Sequence, residues 1–287
     1  MFSNPKVLKF MRKAGYQVLV YLLLIPLAVI FSTPLLWLVS TALKPDTQMS
    51  AWPPVWIPRP PQWGNFTLVF TDANFGLYLK NTLIIAVLST IGSVVTSSMT
   101  AFGFSRLRFP GRDILFSVLL ATMMLPYVVT LVPTFILFRR LGWLNSYRPL
   151  IVPSFFGGGA FFIFLLRQSF SAVPHELFEQ ARIDGASSYR QYWQIMLPLS
   201  KPVLSTVTIF SLMNHWNDFM GPLIYINDPQ KFTLSLGLRS FMGMSGAGVR
   251  YQEQMAFALL MTLPLLVAFF SFQQYFIKGV IMTGIKG

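Results

Sequence analysis

Few side chains in this sequence could do covalent chemistry, and they do not cluster. His175 and His215 are the only histidines, and there is no cysteine. Thiolate nucleophiles, disulfides and thiolate metal sites are therefore excluded. Neither histidine has co-ligands at a metal-binding spacing, and no nucleophile–base pair stands out. The nucleotide-cradling pattern G-x-x-x-x-G-K-[ST] is missing. Its nearest imitation, Gly157-Gly158-Gly159, is followed by apolar residues and no lysine. The chain is thus expected to be no enzyme, with no catalytic residue, no metal and no cofactor of its own. What remains is hydrogen-bonding chemistry. Ser211, Asn214, His215 and Asp218 fall within an arc of about 100° on a helix. Such a face either lines a solute path or bonds neighbouring helices. Ser89, Ser93, Ser97 and Thr100 form a stripe of small residues suited to close helix packing.

The most informative polar stretch runs from Pro174 to Pro198. Ser171 can cap a helix starting near Pro174, with Glu176 in its first turn. Leu177, Phe178 and Ala181 make an apolar strip at helical spacing. Gly185 is placed to end that helix. Ser187 or Ser188 can cap a second helix that stops at Pro198. The segment predicts two short helices joined at a glycine, lying at a membrane surface, with charge and apolar contacts mixed on the exposed face.

The elements that must hold these residues are membrane spans. The 287-residue chain is 54% hydrophobic and only 11% charged, with 28 Phe. Soluble domains carry about a quarter charged residues, whereas lipid-facing surfaces need apolar side chains outside as well as in. A hydrocarbon core takes about 20 helical residues to cross. Six segments qualify: Val18–Leu43, Tyr78–Phe104, Ile114–Phe138, Leu150–Leu166, Pro202–Ile226 and Met255–Phe276. The first follows Lys6, Lys9, Arg12 and Lys13, but it is too long for a signal peptide's apolar region and no small-residue cleavage site follows it, so it reads as a retained span. The expected architecture is all-α and polytopic, a single domain over 1–287 with six transmembrane helices.

An even number of spans puts both termini on one side. With the termini inside, thirteen of the 22 basic residues fall on inside segments, a modest bias toward that orientation. The net charge of +13 is spread between spans and accompanies no recognition motif, so no nucleic-acid partner is expected. The segment 44–77 is rich in Trp and Pro and reads as an irregular external cap. The segment 227–254 contains Gly243, Gly246 and Gly248 and reads as an external loop.

The Pro174–Pro198 stretch resembles the signature loop of binding-protein-dependent ABC permeases, written E-A-A, three residues, G, nine residues, I-x-L-P. Glu179, Ala181, Gly185, Ile195, Leu197 and Pro198 fall on that pattern, and Asp184 and Ala186 match its D-G-A. Gln180 departs from it, standing where the family commonly has alanine. The run Asn214-His215-Trp216-Asn217-Asp218-Phe219, with Pro222-Leu223 and Thr233-Leu234, is similar to the carbohydrate-uptake, maltose-type class. So is the C-terminal run Gln274-Tyr275-Phe276-Ile277-Lys278-Gly279 to Lys286-Gly287.

The resemblance implies a type I importer permease fold in a bacterial or archaeal inner membrane, multi-pass, with both termini cytoplasmic. It implies a cytosolic ABC ATPase dimer that holds ATP and Mg, a second related permease, and an extracytoplasmic solute-binding protein that delivers a sugar or oligosaccharide. The segment 171–201 would be the coupling loop, its helix docked in a cleft of the ATPase. Leu177, Phe178 and Ala181 would be the apolar foot, Glu179 the orienting group and Gly185 the hinge. The glycines Gly243, Gly246 and Gly248 match in position a loop that reaches toward the binding protein. An ABC permease for another solute, such as glycerol phosphate, stays open. An ion-coupled secondary transporter would need inverted repeats and midplane acids, and only Asp218 is a plausible intramembrane acid.

Overall fold

A computed structural model describes the backbone of residues 5–244 and 251–284, with side chains for residues 15–239 and 251–271. Helices are the only regular structure among the described residues. The chain divides into two compact units, Met1–Asp72 with Met242–Leu260, and Ala73–Phe241 with Met261–Gly287.

In the first unit α1 spans Pro5–Ala42 and α2 spans Gly64–Thr71. The 28 residues from Gly15 to Ala42 carry no charge, and an 18-residue stretch within them has a mean hydropathy of 2.4. At 1.5 Å per residue this is ample for a core of about 30 Å. Pro26 and Pro34 stay inside the helix. Beyond α1 the chain is irregular, as its Trp and Pro content dictates, with cis bonds at Trp52–Pro53 and Arg59–Pro60. Trp37 meets Trp56 edge-on at 5.0 Å, and the Lys44 ammonium sits 3.7 Å over the Trp37 ring. Burial pushes that ammonium below the ordinary lysine range. The Asn65 amide donates to the carbonyls of Ala42 and Lys44 at 2.9 and 3.2 Å. It thereby closes the end of α1, whose last carbonyls have no helical partner.

The second unit is built on α3, Phe75–Arg106, followed by α4, Arg112–Thr122, and α5, Tyr127–Arg140. The expected span Ile114–Phe138 is not one rod, because α4 and α5 meet at 98°. Pro126 supplies no N–H and pushes the preceding residue out of the helical region. A short α6, Arg148–Ile151, and a 3-10 turn, Val152–Phe155, lead to α7, Ala160–Ser171. Next come α8, Glu176–Ile183, and α9, Ser188–Gln191, which continues through a π turn, Tyr192–Met196, into α10, Leu197–Leu199. That run bends by 83° into α11, Lys201–Trp216. The expected span Pro202–Ile226 is interrupted at Asn217, and α12 covers Met220–Tyr225. Within the expected external loop 227–254, α13 occupies Leu234–Met244. The last helix, α14, runs Tyr251–Gly284. Among the described residues, four helices are long and apolar enough to cross a membrane, and each bent pair taken as one span makes six.

The small-residue stripe of α3 is buried, with Ser89 and Ser97 fully covered. Ser89 Oγ donates to the Leu150 carbonyl at 3.0 Å, and Thr96 Oγ1 to the Ser154 carbonyl at 3.1 Å. Opposite, Gly157, Gly158 and Gly159 all have positive φ. A Cβ on Gly158 would fall onto the Ser93 carbonyl oxygen. Gly158→Ala therefore combines left-handed strain of about 1–2 kcal/mol with overpacking of about 1–3 kcal/mol. Its expected result is a lower melting temperature and a loss of monodisperse protein on detergent size exclusion, and a melt at the parent temperature would refute the close approach.

A second tie joins the loop around Asn145 to residues 227–231. Asn145 Oδ1 accepts the Asp228 N–H at 3.0 Å, and the Lys231 ammonium donates to the Asn145 carbonyl at 3.0 Å. The Gln230 N–H and the Lys231 ammonium hold the Asp228 carboxyl below the usual carboxylate range.

Candidate functional site

The loop between α7 and α11 is two helices, but its start differs from the sequence expectation. Ser171 is the last residue of α7 and caps nothing. α8 begins at Glu176 after His175, with no side-chain cap. Glu176 and Glu179 occupy its first turn, where carboxylates oppose the positive helix end. α8 ends as Gly185 requires. Gly185 takes φ +75, its N–H donates to Arg182 O at 3.0 Å, and the Ala186 N–H donates to Ala181 O at 2.8 Å. This paired closure needs a left-handed residue at that position. Space is not the constraint, since nothing lies within 4 Å of a Cβ built on Gly185.

Ser187 caps the second helix, its Oγ accepting the Arg190 N–H at 3.3 Å. The Gln191 amide donates to the Ala186 carbonyl at 3.0 Å and braces the glycine turn. The helix does not stop at Pro198 as expected but runs to Leu199. Pro198 has no N–H and would crowd the carbonyl four residues back. The π turn over Tyr192–Met196 widens the helix just before it, with the Leu197 N–H donating to Tyr192 O, and so admits the proline ring.

Burial sorts the loop residues. Phe178 points inward and is 5% exposed, packed in a cluster with Phe102, Leu166, Phe170, Tyr192, Met196 and Val207. Ile195 and Leu197 pack against the same cluster from partly buried positions, whereas Pro198 is exposed. Ala181 is half-buried, and Glu179 and Asp184 are exposed. Of the expected foot, only Leu177 presents a large apolar side chain outward, at 41% exposure. The outward apolar surface continues through Ile183, 85% exposed, and the edge-on pair Tyr189 and Trp193 at 6.1 Å. Sequence reasoning passed over these three. The spacing of Tyr189 and Trp193, one helical turn, was the available signal.

The polar face of α11 is not a single cluster. Ser211 is fully buried, with its Oγ unpaired. Asn214 is exposed, and His215 and Asp218 are half-buried. Asp218 lies in the break before α12, where its carboxylate accepts the Gly221 N–H at 3.0 Å. Its backbone carbonyl accepts Ser235 Oγ at 2.6 Å. Tyr127 and Tyr225 lie within electrostatic reach of the Asp218 carboxylate, and no charge marks either of them in the sequence. Gly243 lies in the last turn of α13, and Gly246 and Gly248 lie outside the described residues. No group of three or more His, Cys, Asp or Glu that could hold a metal occurs among the described residues.

Broken apolar spans, a surface loop of two capped helices and a small-residue seam together define a polytopic transport protein of the helical permease class. Residues 92–282 match the family described as binding-protein-dependent transport system inner membrane component, and the chain belongs to it. It is 36% identical over 90% of its length to a protein of Caldicellulosiruptor sp. (strain Rt8B.4) named as an ABC transporter permease, ORF2, 93% of which is covered. It is 32% identical to the sn-glycerol-3-phosphate transport system permease UgpE of Yersinia enterocolitica, over 94% of this chain and 97% of that one. The arabinooligosaccharides transport system permease AraQ of Bacillus subtilis is 31% identical, over 95% and 96%. Among solved structures, a chain of a bacterial ABC transporter that imports the acidic polysaccharide alginate superposes with a TM-score of 0.80 at 21% identity, covering 96% of this chain and 99% of that chain. The chain is thus a transmembrane permease of an ABC importer, and the ion-coupled alternative falls away.

Proposed function

We propose that this permease passes a neutral oligosaccharide, delivered by an extracytoplasmic binding protein, and that its loop 171–201 docks on a separate cytosolic ABC ATPase dimer. ATP and Mg belong to that ATPase, and a second, related permease completes the path. The observation that carries this reading is the loop itself. α8 is seated on its own bundle by Phe178 and ended rigidly at Gly185, while Leu177, Ile183 and the carboxylates of Glu179 and Asp184 face outward. A lever needs one face fixed and one face free, and α8 has both. The same end of α3 leads through Arg106, Arg108 and Arg112 into α4, and Arg167 lies 3.9 Å over Phe116 of α4. This concentration of arginines favours a cytoplasmic loop and cytoplasmic termini.

For the solute, the carboxylate of Asp218 near two tyrosines suits hydroxyl groups and sugar faces. The test is a reconstituted complex in proteoliposomes, assayed for ATP-dependent uptake of labelled arabino-oligosaccharides and of sn-glycerol 3-phosphate. Uptake of the neutral sugars alone is expected. Preference for the phosphate would overturn the solute assignment, and failure of any ATPase to co-purify would overturn the docking role.

A further inference from the structure

The loop 171–201 is fixed in direction by one face of one helix. Ser98, Phe102 and Arg106 lie four residues apart along α3 and so share a face at its final turns. Ser98 Oγ and the Tyr192 hydroxyl are 2.7 Å apart. The Phe102 ring stands edge-on to Tyr192 at 5.4 Å and tilted to Phe178 at 6.4 Å. The Arg106 guanidinium lies 4.3 Å over the Phe178 ring. It donates to the Phe170 carbonyl and, at 2.6 Å, to the Val173 carbonyl, and its other nitrogen is 3.1 Å from His175 Nδ1. This one face therefore grips the end of α7, α8 and the π turn together.

The helices that flank the loop in sequence hold it differently. α11 leaves through the 83° bend after Leu199. Beyond the backbone bonds at which the chain passes into them, Val173 N–H to Phe170 O and Ser200 N–H to Met196 O, α7 and α11 add apolar contacts from Leu166, Phe170 and Val207. These fill space, but apolar contact is non-directional. Hydrogen bonds and a stacked guanidinium have preferred geometry.

We propose that α3, and not α7 or α11, receives the displacement of the coupling loop, with Arg106 and Tyr192 as the positioning residues of that joint. The proposal rests on the reading of loop 171–201 as the ATPase-docking element. Arg106 is suited to the task because one terminal nitrogen serves both carbonyls and the other meets His175 while its face lies on Phe178. Lysine keeps the charge but loses both the fork and the stack. Tyr192→Phe removes only the Ser98 bond and leaves the ring packing.

The chain has no cysteine, so spin labels can be placed without background. Ser188→Cys on the loop and Leu107→Cys at the end of α3 are both exposed. The doubly labelled chain is assembled with its ATPase, second permease and binding protein, and the distance is measured without nucleotide and after trapping with ATP and vanadate. The parent pair is expected to keep one distance in both states. With Arg106→Lys or Tyr192→Phe, ATP hydrolysis is expected to continue while the pair distance becomes nucleotide-dependent. A parent shift of about 5 Å, one helical turn, would show the loop moving past α3 and overturn the proposal. So would variants whose pair stays locked like the parent's. Absence of the ATPase from the purified parent complex would instead sink the docking role, which separates the two failures.

Discussion

Replacing Gly185 with valine is expected to lower ATP-driven uptake sharply, on the order of tenfold, while leaving membrane insertion intact. Gly185 sits at φ +75, where a β-carbon costs about 1–2 kcal/mol and a β-branched side chain is an outlier. The strain has one easy release, unwinding the last turn of α8 and losing the bonds from Gly185 to Arg182 and from Ala186 to Ala181. That turn carries Ile183 and Asp184, both exposed, so the proposed docking face is lost with it. If about 1.4 kcal/mol of the strain appears in docking, association with the ATPase weakens about tenfold. Gly185→Asn is the control, because asparagine tolerates the left-handed region. It should retain most uptake. Pull-down of the ATPase and uptake in proteoliposomes check both variants, and normal uptake by the valine variant would remove Gly185 from the coupling role.

Phe178→Ala should be the more damaging change to structure. Phe178 is 5% exposed among Phe102, Phe170 and Tyr192. Emptying such a site costs about 3–5 kcal/mol when the surroundings cannot collapse. It also removes the ring on which Arg106 lies. The expected signs are a lower melting temperature and faster proteolytic cleavage between residues 172 and 190. Leu177→Ala is the contrast, since Leu177 faces outward. It should leave melting unchanged and weaken only ATPase binding. Equal melting temperatures for the two variants would contradict the inward placement of Phe178.

The spans were legible because an apolar run long enough to cross a bilayer needs no tertiary context to be recognised. Their breaks were not. Pro126 separates α4 from α5, yet Pro133 lies inside α5 and Pro26 and Pro34 inside α1. The same residue breaks one helix and is absorbed by another, because neighbouring packing and local hydrogen bonding decide. The glycine end of α8 and the Ser187 cap were legible because both are local backbone requirements. The direction of Phe178 was not. Helical spacing places Leu177, Phe178 and Ala181 near one another, but it does not say which of them meets the bundle. That depends on Phe102, far away in sequence. The passage past Pro198 was hidden for a similar reason, since a π turn leaves no compositional mark. Asp218 was picked out by its charge inside an apolar run, whereas Tyr127 and Tyr225 carry no such mark.

The contact at Gly158 bears on how any motion could pass along α3. Ser93 and Arg106 are separated by thirteen residues, or roughly 20 Å of helix. At Ser93 the backbone of α3 meets that of Gly158, beside the Ser97 hydroxyl. Two backbones so engaged cannot slide without unseating the glycine, but they can pivot. Under the proposed coupling, a push on the Arg106 end would become a tilt about Ser93, with the Phe75 end swinging the opposite way. Gly158 is in this sense a fulcrum, and a bulkier residue there would jam the lever as well as loosen the fold.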